Sequence, residues 1–219
     1  MSAHRSFVFR TWGGKRRGAG RKPTGPTAGV PHHRRPKHQA THPVHVTLRA
    51  VRNCPSLRSG RVFGTLRSAL GRTSSDTFRV AHFPVQTNHV HLIVEASRCE
   101  SLTRGMQGLG IRLAKAVNRA CGRRGRVWGD RYHSRALRMP REVRNALVYV
   151  LLNGRKHHVS GIGIDPCSSG SWFDGWANHV AAPAASSPIA RARTWLLRTG
   201  WRRNGLIRFD HVPRSRLRR

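Results

Sequence analysis

Acidic residues are scarce in this chain. Its 219 residues hold eight: Asp76, Glu95, Glu100, Asp130, Glu142, Asp165, Asp174 and Asp210. No two of them stand at a familiar metal-ligand spacing, which disfavours a two-metal nuclease or recombinase built on clustered carboxylates. Tyrosine is scarcer still, with only Tyr132 and Tyr149. The four cysteines, Cys54, Cys99, Cys121 and Cys167, form no C-x-x-C pair, which argues against a zinc ribbon or a disulfide framework. Apolar runs are too short to cross a bilayer, and Met1-Ser2-Ala3-His4-Arg5 has no apolar signal core. An intracellular, cytoplasmic and nucleoid-associated protein without a membrane partner is the expectation.

What is abundant is positive charge. Lys and Arg number 42, so the formal net charge is +34 with histidine neutral. Such a surface binds phosphate backbones whether or not it reads sequence. The hydrophobic fraction of 37% still supplies one modest core.

Three zones follow. Residues 1–42 include Gly13-Gly14-Lys15-Arg16-Arg17-Gly18-Ala19-Gly20-Arg21-Lys22-Pro23 and show no hydrophobic periodicity, so they read as a basic disordered arm. Arg16, Arg17, Arg21 and Lys22 are its candidate DNA contacts. Residues 43–158 carry the regular patterns. Residues 159–219 read as a C-terminal extension with two Trp-containing docking segments, Trp172–Trp176 and Thr194–Leu197, and a basic tail.

Within 43–158, Val44, Val46 and Leu48 alternate with His45, Thr47 and Arg49, a half-buried strand. A helix is expected over 56–71, then a hairpin of Phe78–Val85 and His89–Glu95. Ser101 can cap a second helix, whose Leu102, Met106, Leu109, Leu113, Val117 and Ala120 share one face before Gly122. Extended stretches near 126–128 and 134–137 lead to a third helix with Pro140 in its first turn and Gly154 at its end. This order, βαββαβ, predicts an α+β, ferredoxin-like antiparallel sheet with helices on one face.

The chemistry-bearing residues sit on two of these elements. Alternation puts His89 and His91 on one face of their strand, and Val90, Leu92 and Val94 on the other. Two imidazoles on one face can supply two ligands to a cation, or can simply contact nucleic acid. On the third helix, Asn145, Tyr149 and Asn153 recur every four residues along one stripe. A Tyr and an Asn one turn apart can aim a nucleophile and a ligand at one point. Equally, they can be a core-edge tyrosine and a helix cap.

These segments carry a family resemblance. Gln86-Thr87-Asn88-His89-Val90-His91-Leu92-Ile93-Val94-Glu95 resembles the HUH block (histidine, hydrophobic residue, histidine) of the IS200/IS605-type Y1 transposases, closest to the REP-associated tyrosine transposases. Gly125–His133 resembles their second characteristic block, and Leu147–Asn153 resembles the helix that holds their tyrosine. The resemblance spans residues 43–158 in family order. One departure is Asn153-Gly154, where that family commonly has Asn-Pro.

The resemblance implies a metal-dependent endonuclease and strand transferase that nicks and rejoins single-stranded DNA through a 5′-phosphotyrosine. Carried over by position, Tyr149 would be the nucleophile. His89, His91 and Asn153 would be the ligands of Mg²⁺ or Mn²⁺. The partner would be single-stranded DNA with hairpin-forming repeats, and a homodimer is open. Free tyrosine titrates near about 10, so a cation and a positive field would be needed to stabilise the phenolate. Arg112, Lys115, Arg119, Arg123, Arg124, Arg126 and Arg131 are further candidate DNA contacts. Tyr132 reads as structural or DNA-contacting. The alternative function is a non-catalytic, domesticated nucleic-acid-binding protein.

Overall fold

The computed structural model describes residues 36–156, 163–181 and 183–212. Its elements begin with β1 (Val44–Arg49), α1 (Gly60–Gly71), β2 (Phe78–His82) and β3 (His89–Ala96). There follow α2 (Cys99–Ala120), β4 (His133–Ala136), α3 (Pro140–Leu151), α4 (Asn153–Lys156) and α5 (Trp195–Arg198). Short 3₁₀ turns cover Gly170–Trp172 and Gly200–Asn204. The four strands form one sheet in the order β2-β3-β1-β4, with every neighbouring pair antiparallel. That is the ferredoxin-like arrangement expected from the element order.

Alternation along the strands sorts side chains between two cores. Val44, Val46 and Leu48 of β1 join Val90, Leu92 and Val94 of β3 in the first core. Val62, Leu66, Ala69 and Leu70 of α1 and the long stripe of α2 close over them. Both crossover helices therefore lie on one face of the sheet. One close approach is built in, because a Cβ at Gly105 of α2 would come within 2.2 Å of the Phe78 ring on β2.

The opposite face is covered by α3 and the C-terminal segment. Ile93 of β3 meets Val143, Leu147, Val150 and Leu151 of α3, together with Phe173, Trp176, Leu196, Leu197, Trp201 and Ile207. Trp201 is only 1% exposed. Two buried carboxylates anchor this segment. Asp165 accepts two hydrogen bonds of 2.8 Å from Arg58, and Glu95 accepts from Arg193 N at 2.8 Å and Thr194 N at 2.9 Å. The four cysteines are all free.

Local boundaries differ from the sequence expectation in four places. Helix α1 starts at Gly60 rather than 56. Helix α2 begins at Cys99, one turn-fragment ahead of Ser101, and has no side-chain cap. Its end is a Schellman motif: Gly122 has φ +59°, Gly122 N donates to Arg119 O at 3.4 Å, and Arg123 N to Asn118 O at 2.9 Å. The 126–128 stretch contributes a single bridge, Trp128 to Ala50. Finally, α3 stops at Leu151, where Leu152 turns to φ −110°, ψ 14°, and Gly154 lies inside α4 instead of ending a helix.

Candidate active site

The polar residues of β1, β3 and β4 meet beneath α3. In the ladder, Thr47 lies opposite His91 on one side and His133 on the other, while His45 lies opposite Ile93 and Arg135. Residues opposite one another point to the same face. Helix α3 crosses above and supplies Glu142, Asn145 and Tyr149, spaced so that all three look down. Together with Ala146 and Leu137 these residues line a pocket of about 450 Å³.

Tyr149 Oη stands 3.2 Å from Nε2 of His91. The rings of His91 and Tyr149 meet edge-on, with centroids 4.9 Å apart. His45 stacks on His91 at 5.3 Å, and His89 stands edge-on to His91 at 4.7 Å. The other nitrogen of each HUH-block histidine is engaged by an oxygen. His91 Nδ1 is 2.9 Å from Thr47 Oγ1, and His89 Nδ1 is 2.7 Å from Asn88 Oδ1. Both contacts hold the ring orientation of the HUH-block histidines.

Glu142 holds the start of α3. Its Oε2 accepts from Arg138 N at 2.7 Å, and its other oxygen pairs with Arg135. Burial alone would raise its pKa. The Arg138 N–H and the Arg135 guanidinium outweigh that and hold the carboxyl below its usual value.

Asn153 is not in this lining. It is 0% exposed, just past the end of α3, and among the described residues neither amide atom has a hydrogen-bond partner. Among the described residues, no three histidine, cysteine or acidic side chains are grouped to hold a metal. A donor set here would have to draw on an amide or on water. Two imidazoles with Nδ1 engaged, plus an unsatisfied buried amide, have the chemistry for that, since a histidine ligand usually has its second nitrogen so held.

Tyr132 packs against the first core, on the side of the α1 and α2 helices, away from Tyr149. The basic run is elsewhere too. Arg112, Lys115 and Arg119 are exposed on α2, across the sheet from the pocket. Arg124, Arg126 and Arg131 are exposed in the loop before β4, and Arg123 is half-buried there. Arg123 donates to Arg126 O at 3.2 Å, and Arg126 to Trp128 O at 2.6 Å, so both shape that loop. Arg16, Arg17, Arg21 and Lys22 lie outside the described residues.

His45, Thr47, His133, Arg135 and Glu142 escaped the sequence reading as site residues. For His45 and Thr47 the signal was the polar half of the β1 alternation, which acquires meaning only when β1 is paired with β3 and β4.

No family model and no curated protein matches the sequence. Among solved structures, the chain is similar to a REP-associated tyrosine transposase bound to a REP hairpin. The TM-score is 0.54 and the identity 20%, over 75% of this chain and 99% of that one. The likeness is one of fold. The alignment takes in nearly all of that transposase, so its whole domain has a counterpart here. Among the described residues, no helix is long and apolar enough to cross a membrane.

Proposed function

We propose that the protein is a DNA transposase of the Y1 type, a single-strand endonuclease and strand transferase with Tyr149 as its nucleophile. The observation that carries this reading is the 3.2 Å approach of Tyr149 Oη to His91 Nε2, in an open pocket at the strand that bears the HUH block. The transposase fold, the net charge of +34 and the neighbour's REP hairpin support a hairpin-forming DNA partner.

In the reaction, Tyr149 Oη attacks the scissile phosphorus. The bond to the 3′ oxygen breaks, leaving a 3′-OH on one fragment and a 5′-phosphotyrosine on the protein. The protein–phosphate ester keeps the energy of the phosphodiester, so another 3′-OH can reverse the step without ATP. Mg²⁺ or Mn²⁺ held by His89, His91 and the Asn153 amide would polarise the phosphate. Thr47 and Asn88 orient the two imidazoles. Arg135, steadied by Glu142, brings positive charge to the pocket wall.

The test is a covalent-adduct assay on denaturing gels with Mn²⁺ and labelled single-stranded hairpin oligonucleotides. Wild type and Tyr132→Phe are expected to form an adduct, and Tyr149→Phe none. Tight binding with no adduct from any oligonucleotide would favour a non-catalytic nucleic-acid binder.

A further inference from the structure

A second cavity, of about 560 Å³, lies at the β2 edge of the sheet, on the face that carries the second core. It shares no lining residue with the Tyr149 pocket. Its volume is that of a cleft for a small molecule. Phe173, Ile189 and Leu197 give it an apolar wall. Ala190 N donates to Val80 O at 2.9 Å, which fastens the stretch carrying Ile189 and Arg191 to the edge strand.

His82 reaches this cavity because β2 is bulged. Phe78 and Val80 point into the first core, and unbroken alternation would send His82 there too. The register instead shifts between Val80 and His82. Ala81 joins the second core, Phe83 takes its place in the first, and the His82 ring stands edge-on to Phe173 at 5.3 Å. Bulges of this kind re-aim a side chain, and they recur beside functional sites.

The re-aimed ring is costly to bury. His82 is 8% exposed, and burial pushes its pKa down to about 3, so it stays neutral. Its Nδ1 lies 3.3 Å from Ser169 Oγ, while Nε2 has no hydrogen-bond partner among the described residues. A neutral imidazole on a cavity wall thus keeps one nitrogen for a ligand.

Two cations stand at the mouth. Arg191 and Arg198 are exposed, and neither guanidinium makes an ion pair or hydrogen bond among the described residues. The acid in the wall, Asp174, is already paired with Arg202 at 2.9 Å. Guanidinium groups match the geometry of phosphate and carboxylate oxygens.

We propose that this cavity binds a small aromatic anion, its phosphate or carboxylate held by Arg191 and Arg198 and its flat body lodged against Phe173 and Ile189 beside His82. The site is separate from the Tyr149 pocket and does not depend on the transposase reading.

The test is isothermal titration of the full chain with 1-naphthyl phosphate and with 1-naphthoate, one probe for each anionic group. Saturable one-to-one binding of at least one probe is expected, with uncharged 1-naphthol at least about tenfold weaker. Arg191→Ala and Arg198→Ala should each weaken the bound probe about tenfold. Arg61→Ala removes an equal charge from the exposed side of α1 and should leave the affinity unchanged. His82→Phe keeps a flat ring without its nitrogens and should weaken binding about threefold or more. A melting curve shows whether that variant folds, and the two exposed arginines decide the matter if it does not. No saturable binding of either probe would overturn the proposal. So would equal affinities in Arg191→Ala, Arg198→Ala and Arg61→Ala, which would mark attraction to the net charge alone.

Discussion

Tyr149 Oη and His91 Nε2 face each other at 3.2 Å across the gap between helix and sheet. Thr47 engages the other nitrogen of the same imidazole at 2.9 Å. Strand β1, strand β3 and helix α3 thus meet at one ring, and the consequences can be measured at each contact.

The Thr47 contact predicts a metal phenotype. Thr47→Val keeps the shape of the side chain and removes the hydroxyl that orients His91. The Mn²⁺ concentration for half-maximal adduct formation should rise about 10- to 100-fold, the usual cost of losing a histidine ligand's supporting bond. A Mn²⁺ titration of adduct formation measures it. An unchanged titration curve would show that Thr47 does not orient a metal ligand.

The Arg58–Asp165 pair predicts a stability effect. Asp165 has a side-chain exposure of 2% and receives both arms of the Arg58 guanidinium at 2.8 Å. Arg58→Ala leaves a buried carboxylate without its cation, at a cost of about 3–5 kcal/mol. Urea denaturation should show the midpoint falling with an unchanged slope.

His82 predicts how stability depends on pH. Burial lowers its pKa from 6.5 to about 3. It lies 3.3 Å from Ser169 Oγ and edge-on to Phe173, so folding keeps it neutral. Below about pH 6.5 the unfolded chain takes up a proton that the folded chain refuses, so stability falls with pH down to about 3. Glu142, also lowered, adds its own loss only below its ordinary value of 4.5. His211, also held below 6.5 by burial and Arg144, acts in the same window, so thermal melts between pH 6.5 and 4.5 should flatten in His82→Asn and flatten further when His211→Asn is added.

Gly105 predicts a packing defect far from the pocket. A methyl group there meets the Phe78 ring at 2.2 Å. Gly105→Ala should destabilise by about 1–3 kcal/mol through overpacking between α2 and β2, against the usual gain in helix propensity. Paired denaturation curves of wild type and variant give the value.

The fold was legible because its signals are local and periodic. The alternation of Val44, Val46 and Leu48 and the Leu102-to-Ala120 stripe need no tertiary knowledge to be read. The two-faced character of β3 was readable in the same way, from His89 and His91 against Val90 and Leu92. The pocket was less legible. His133 and Arg135 reach it only through the register of β4 against β1, which is a long-range pairing. Glu142 entered the sequence reading only as one of eight acids, and its grip on Arg135 and Arg138 depends on where β4 hands over to α3. The stripe of Asn145, Tyr149 and Asn153 assumed an unbroken helix. The helix ends at Leu151, with Asn153 opening the separate α4, and no side-chain period announces that break.

The most direct measurement is mass spectrometry of a trypsin-digested protein–DNA adduct formed with Mn²⁺ and a single-stranded hairpin oligonucleotide. The account predicts a nucleotide phosphate on the peptide spanning residues 145–155, attached to Tyr149. A phosphate found on Tyr132, or on any other residue, would contradict it.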